Sequence, residues 1–194
     1  DNAVDEALAG FSKNVWITLN LDGSATVIDD GRGIPVDIMP QYKKSALEIV
    51  MTKLHAGGKF GGSAYKISGG LHGVGASVVN ALSEWMRVEV KRGNKIYSQE
   101  YTRGIAKTPI KEAKIDSKTD FNPNSSTGTK VVFFPDKQIF PTIVFDFDTI
   151  KKAIRERAYL VPKLYFHLYD RRDGKEQEVN YYFEGGIKSL VEKL

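Results

Sequence analysis

Val15-Trp16-Ile17-Thr18-Leu19-Asn20-Leu21-Asp22-Gly23-Ser24-Ala25-Thr26-Val27-Ile28-Asp29-Asp30-Gly31-Arg32-Gly33-Ile34-Pro35 is the stretch whose reading decides the fold. Residues 15–21 are rich in β-branched and aromatic side chains and read as a strand. Asp22-Gly23 is a hairpin turn signal, and residues 25–29 form the returning strand. Two paired strands therefore deliver Asp29 to the loop Asp29-Asp30-Gly31-Arg32-Gly33-Ile34-Pro35. Glycines at alternate positions let a backbone turn sharply and let a flat ligand ring lie against it. An aspartate at a strand end can accept a hydrogen bond from an exocyclic amine. The combination suits adenine, although Asp-Gly is as often a plain turn, and the motif alone leaves both readings open.

Working outward, residues 2–12 are rich in Ala, Leu and Glu and end near Gly10, the pattern of a helix. Residues i and i+4 share a helix face, so Asn2 and Glu6 point the same way, with Asp5 one step around. An amide and carboxylates on one face suit a hard cation such as Mg²⁺, though such residues more often simply face solvent. Beyond the loop, a helix is expected around Ser45 to Leu54, then a tract with eight glycines between Gly57 and Gly75, then a helix over 76–82. Candidate strands follow at 86–91, 95–101, 130–134 and 163–169, interrupted by a helix over about 147–159. Residues 116–126 and 171–175 read as loop and turn, and Tyr181, Tyr182 and Phe183 as a last strand. The expected architecture is α+β, a two-layer sandwich of helices on one face of a mixed, mostly antiparallel sheet, with residues 1–194 as a single domain.

Composition narrows the chemistry. The chain has no cysteine and three histidines, which removes disulfides, thiolate metal sites and cysteine nucleophiles. Any metal would rest on oxygen ligands. Net charge is +4, from 28 Lys and Arg against 24 Asp and Glu, too interspersed to mark a nucleic-acid face; the densest cluster, Lys151, Lys152, Arg155 and Arg157, reads as a solvated helix side. No apolar run approaches the roughly 18–20 residues of a membrane span, and the start does not resemble a signal peptide, so a cytoplasmic protein without membrane association is expected.

The glycine tract, from Gly57-Gly58-Lys59-Phe60 to Gly69-Gly70-Leu71-His72-Gly73-Val74-Gly75, closes on a helix N-terminus. Glycines let successive N–H groups converge on an anion, the helix end adds a favourable dipole, and Lys59 and Lys66 can bring charge to phosphates. It is a polyphosphate cradle that matches neither a Walker A sequence nor a Rossmann turn.

These strings resemble one family. Asp1-Asn2-Ala3-Val4-Asp5-Glu6-Ala7, Asp29-Asp30-Gly31-Arg32-Gly33-Ile34-Pro35, Leu54-His55-Ala56-Gly57-Gly58-Lys59-Phe60, Gly69-Gly70-Leu71-His72-Gly73-Val74-Gly75 and Thr127-Gly128-Thr129 follow in the order of the ATPase domain of the B-type chains of bacterial type II DNA topoisomerases. That domain belongs to the superfamily shared with histidine kinases, MutL and the heat-shock chaperone. The resemblance runs to the Tyr-Phe-Glu-Gly-Gly-Ile segment at 182–187. It implies ATP and Mg²⁺ as cofactors. Asn2 corresponds to the metal ligand, Asp29 to the residue that takes the adenine amine, directly and through a water shared with Thr129, and Glu6 and Arg32 to a pair flanking the base. Arg32 and Pro35 would close the pocket edge. Gly57, Gly58, Lys59, Gly70, Leu71, His72, Gly73, Val74 and Gly75 match the lid over the phosphates. Ala3, Val27, Ile34, Val50, Met51, Ala76 and Val131 match the apolar floor, and Gly33 belongs to the same loop.

The resemblance also implies partners: a second copy of the B-type chain, the A-type chain of gyrase or topoisomerase IV, DNA through the assembled enzyme, and aminocoumarin-like inhibitors. Nucleotide state would set gate state. In this family the general-base glutamate stands four residues before Asn2's position, so no catalytic residue is expected in residues 1–194, and little hydrolysis and a monomer are expected of them alone. Ser98 falls where many gyrases are expected to carry a pocket-mouth arginine, which implies weaker binding of inhibitors that use it. The rival readings are a MutL-like mismatch-repair ATPase, a sensor histidine kinase and a basic nucleic-acid-binding module.

Overall fold

The computed structural model describes residues 2–54, 74–93, 95–113 and 120–191. Helix α1 (Asn2–Leu8) turns Ala3 and Val4 inward. The chain leaves it at Gly10, whose φ of +82° is a left-handed value that suits glycine. Strands β1 (Asn14–Leu19) and β2 (Ala25–Asp29) pair antiparallel. Their turn is closed by Asp22, whose Oδ1 accepts from Ser24 N at 2.9 Å and Ser24 Oγ at 2.6 Å.

A short hairpin of β3 (Ile38–Met39) and β4 (Lys44–Ser45) leads into α2 (Ala46–Thr52), where the Ser45 side chain caps the helix by accepting from Glu48 N. Then come α3 (Gly75–Ala81), β5 (Ser83–Arg92), β6 (Lys95–Thr102), β7 (Ile105–Ala106), β8 (Lys111–Ala113) and β9 (Thr127–Pro135). Helix α4 (Phe147–Leu160) is capped by Asp146, and β10 (Tyr165–Asp170), β11 (Gln177–Tyr181) and α5 (Ile187–Val191) complete the order.

Apart from the β3–β4 hairpin, the strands form one sheet in the order β11-β10-β1-β2-β9-β5-β6-β7, with β8 also on β6. Among the described residues only the β1–β10 pairing is parallel. Register places Ala25, Phe133 and Met86 in one row and Val27, Val131 and Val88 in the next, all on one face. That face carries two apolar clusters. Ala3 and Val4 of α1 and Phe147, Ile154 and Ala158 of α4 pack over Val15, Leu19, Phe166 and Leu168. Leu47 and Met51 of α2 pack over Met86, Val88, Val90 and Tyr101. Phe133 touches both. The opposite face holds a smaller cluster of Ile28, Ile96 and Phe121 with Trp16. This is the expected two-layer, mixed, mostly antiparallel architecture.

Most boundaries shift by a few residues from expectation, and two of the shifts have a clear physical reason. The last strand is Gln177–Tyr181, not 181–183: Tyr182 and Phe183 follow the strand and stack on Tyr165 (4.1 Å) and Tyr159 (3.8 Å), so their aromatic density serves packing beyond the sheet edge. Strand β5 runs on to Arg92, ended by Gly93 at φ +61°.

Candidate functional site

Asp29, the last residue of β2, is paired with Val15 of β1 on one side and Thr129 of β9 on the other. Both polar side chains are enclosed, each 3% exposed. Gly31 N donates to Asp29 Oδ1 at 3.0 Å, and Ile34 N donates to Thr129 Oγ1 at 3.4 Å. Burial pushes the Asp29 carboxyl up to about 7; the Gly31 and Thr129 main chain opposes this, and the Glu6 and Asp30 charges add to it. A carboxyl so enclosed, pushed toward its neutral form by burial despite the Gly31 and Thr129 main chain, is a candidate ligand-binding group.

Glycine is required around it by close approach. A Cβ on Gly128 would lie 2.5 Å from the Asp29 carbonyl oxygen, and one on Gly31 would lie 2.9 Å from both Asp29 Oδ1 and Glu6 Cβ. Gly33 combines φ +74° with the Lys91 carbonyl 3.0 Å away. At Gly33 and Gly128 the loop and the strand end are therefore laid close against the β5 and β9 backbone.

Glu6 and Arg32 meet as a fork. Arg32 N and Nε donate to Glu6 Oε2 at 3.0 and 3.1 Å, and Nη2 donates to Oε1 at 2.9 Å. A second guanidinium, Arg92, donates to the Gly33 carbonyl at 3.1 Å. This corrects the expectation for Ser98. Ser98 lies in mid-β6, opposite Glu89 and Lys111, whereas the arginine against the loop comes from the end of β5. Arg92, and not the Ser98 position, therefore stands against the Gly33 loop.

Asp30, which the sequence did not single out, faces a different task. Its Oδ1 accepts from Ser12 Oγ, Lys13 N and Asn14 N at 2.8–3.0 Å, and its Oδ2 from Asn14 Nδ2 at 2.8 Å and Asn122 Nδ2 at 3.5 Å. Burial pushes this carboxyl up, but the Asn14, Lys13 and Ser12 donors outweigh it and hold it below the ordinary carboxylate range.

The remaining motif residues fall as follows. Asn2 is exposed in the first turn of α1, one turn before Glu6. Ile34 is buried and Pro35 exposed. Of the apolar floor, Ala3 and Val27 belong to the first cluster, and Ile34, Val50, Met51, Ala76 and Val131 to the second. Val74 and Gly75 begin α3, whose first-turn amides have no side-chain cap. Gly57, Gly58, Lys59, Gly70, Leu71, His72 and Gly73 lie outside the described residues. Among the described residues no group of three or more His, Asp or Glu could hold a metal ion, so a cation at Asn2 fits only if a ligand supplies most of its oxygens. An apolar cleft lined by Val79, Leu82, Phe133, Phe140 and Phe145 contains none of these residues, so the site is defined by its polar groups.

The chain is similar to known proteins over its whole length. The chain is 49% identical over 194 residues to the DNA gyrase B protein of Borreliella burgdorferi and 51% over 195 residues to that of Enterococcus faecalis, with all of the chain and 29% of each relative covered. It is 51% identical to the B chain of the type 2 topoisomerase of Aquifex aeolicus, covering 23% of that protein. The chain thus spans less than a third of these relatives. Its structure matches the crystal structure of the 43K ATPase domain of Thermus thermophilus gyrase B in complex with an aminocoumarin, with a TM-score of 0.82 at 42% identity, covering all of this chain and 46% of that one. Residues 1–139 match the model of the histidine kinase-, DNA gyrase B- and HSP90-like ATPases, and the chain belongs to that family.

Proposed function

We propose that residues 1–194 form one ATP-binding domain that serves as the nucleotide-sensing part of the B-type chain of a bacterial type II DNA topoisomerase. The observation that carries this is Asp29: a buried carboxyl, paired across the strands with Thr129, behind a loop whose glycines approach neighbouring backbone. Its second oxygen would accept from the adenine amine, with Glu6 and Arg32 flanking the base and Gly33, Ile34 and Pro35 along its edge. The phosphates would run toward the start of α3, where Val74 and Gly75 leave first-turn amides uncapped. The roles given to Gly57, Gly58, Lys59, Gly70, Leu71, His72 and Gly73 rest on sequence. Asn2 would hold Mg²⁺, which would supply positive charge to offset that of the phosphates.

ATP hydrolysis, pairing with a second B-type copy, association with an A-type partner and DNA strand passage belong to the proposed whole enzyme. Gyrase B relatives matched over the full chain favour this over a MutL-like ATPase. Aminocoumarin-like inhibitors are proposed ligands of the same pocket, by likeness to the Thermus thermophilus domain. No described helix is long and apolar enough to cross a membrane, and a cytoplasmic setting is proposed with the function.

Calorimetric titration with non-hydrolysable ATP and GTP analogues, each with Mg²⁺, tests the reading. Guanine turns a carbonyl toward Asp29 where adenine offers a donor, so the ATP analogue should bind at least about tenfold tighter. Equal affinity for the two would contradict the assignment.

A further inference from the structure

We infer that Phe11 is a positioning residue of the site, holding the Arg32 guanidinium at the angle from which it meets the nucleotide base. The inference rests on the adenine reading above.

The path of the chain produces the contact. At the end of α1, Gly10 adopts φ +82° and reverses the backbone, and Phe11 N and Ser12 N both donate to the Glu6 carbonyl, at 2.9 and 3.3 Å. Phe11 is thereby folded back onto the turn that carries Glu6. From there its ring lies under the Arg32 guanidinium, with the central carbon 3.8 Å from the ring centroid. One helix end thus grips one arginine twice: Glu6 takes its N–H groups edge-on, and Phe11 covers a face.

The two contacts do different things. A carboxylate fork fixes the directions of two N–H bonds, yet a planar guanidinium can still tilt about the line joining them. A ring at van der Waals distance removes that tilt, and the cation–π attraction favours the stacked arrangement. Burial does not account for the aromatic side chain at this position, because Phe11 remains 46% exposed. Arg32, 38% exposed at its side chain, is held beside the Gly31 and Gly33 turn, where a flat base would lie.

The test compares Phe11→Leu, which keeps apolar bulk and loses the ring, with Phe11→Tyr, which keeps the ring. Two readouts are taken: affinity for the non-hydrolysable ATP analogue with Mg²⁺, and the Arg32 Nε–H resonance without nucleotide. The expected result is a loss of about fivefold in affinity for Phe11→Leu, near-wild-type affinity for Phe11→Tyr, and no further loss when Phe11→Leu is added to Arg32→Leu. The Arg32 Nε–H signal should carry a ring-current shift that Phe11→Leu removes and Phe11→Tyr retains. Unchanged affinity in Phe11→Leu, an equal loss in Phe11→Tyr, or a full loss in the Arg32→Leu background would overturn the positioning role. If the wild type showed the ring-current shift yet bound no nucleotide, the adenine reading itself would have failed, and the role assigned to Phe11 with it.

Discussion

Asp29 and Asp30 are neighbours of the same type, and the fold treats them oppositely. Asp30 is surrounded by donors from residues 12–14 and Asn122, which tie the β1 entry to the loop and hold its carboxyl ionised. Asp29 is more deeply enclosed, is met by the main chain of Gly31 at 3.0 Å and by that of Thr129, and is pushed up to about 7 by burial. A carboxylate ringed by donors stabilises the fold, whereas one that burial pushes toward its neutral form costs stability when ionised and makes sense as half of an interaction that a ligand completes. The pair shows how to separate structure from function where the sequence offers only Asp-Asp.

Their pH signatures should differ in sign. Asp30, held low, contributes stability that is present above its ordinary value near 4 and is lost as pH falls through its folded value. Asp29, raised from 3.8 to about 7, favours the fold while protonated, and that contribution is lost as pH rises through about 7.

The largest expected effect is on the structural side. Asp30→Ala leaves the Ser12, Lys13 and Asn14 donors without their acceptor and should cost about 3 kcal/mol in urea unfolding, with the loss of cooperativity at the β1 entry visible by amide exchange. Gly128→Ala comes next, at about 2 kcal/mol, because its Cβ would meet the Asp29 carbonyl, a backbone atom that cannot step aside. Gly31→Ala sharpens the comparison: its Cβ meets the Asp29 and Glu6 side chains, so stability should fall by only about 1 kcal/mol while ATP-analogue affinity drops about tenfold by calorimetry. Smallest is Arg92→Ala, which removes one partly exposed hydrogen bond to Gly33; a stability change under about 1 kcal/mol is expected in the same urea assay.

Much of this was legible in the sequence because it is local. The Asp22-Gly23 turn, the returning strand that ends at Asp29, and the helices led by Ser45 and Asp146 all follow from short-range patterns. The Glu6–Arg32 fork was reached only through the resemblance, since 26 residues separate the partners. What escaped was set by register and by aromatic packing. Arg92 reaches Gly33 because β5 runs two strands from β2 in the sheet, a relation that no window of sequence contains, whereas the resemblance points to the Ser98 position. Tyr182 and Phe183 looked like strand because aromatic density is a strand signal, yet here it serves stacking past the end of β11. Phe11 was unremarked because a lone aromatic after a helix gives no periodic signal.

The most direct test of the central claim is Asp29→Asn, compared with wild type for urea stability at pH 5 and pH 8 and for binding of the ATP analogue. An enclosed carboxyl kept for a ligand predicts a variant more stable than wild type by about 1–3 kcal/mol at pH 8, a gain that fades by pH 5, together with a loss of at least about tenfold in nucleotide affinity. A variant no more stable at pH 8, or one that binds the ATP analogue as tightly as wild type, would contradict it.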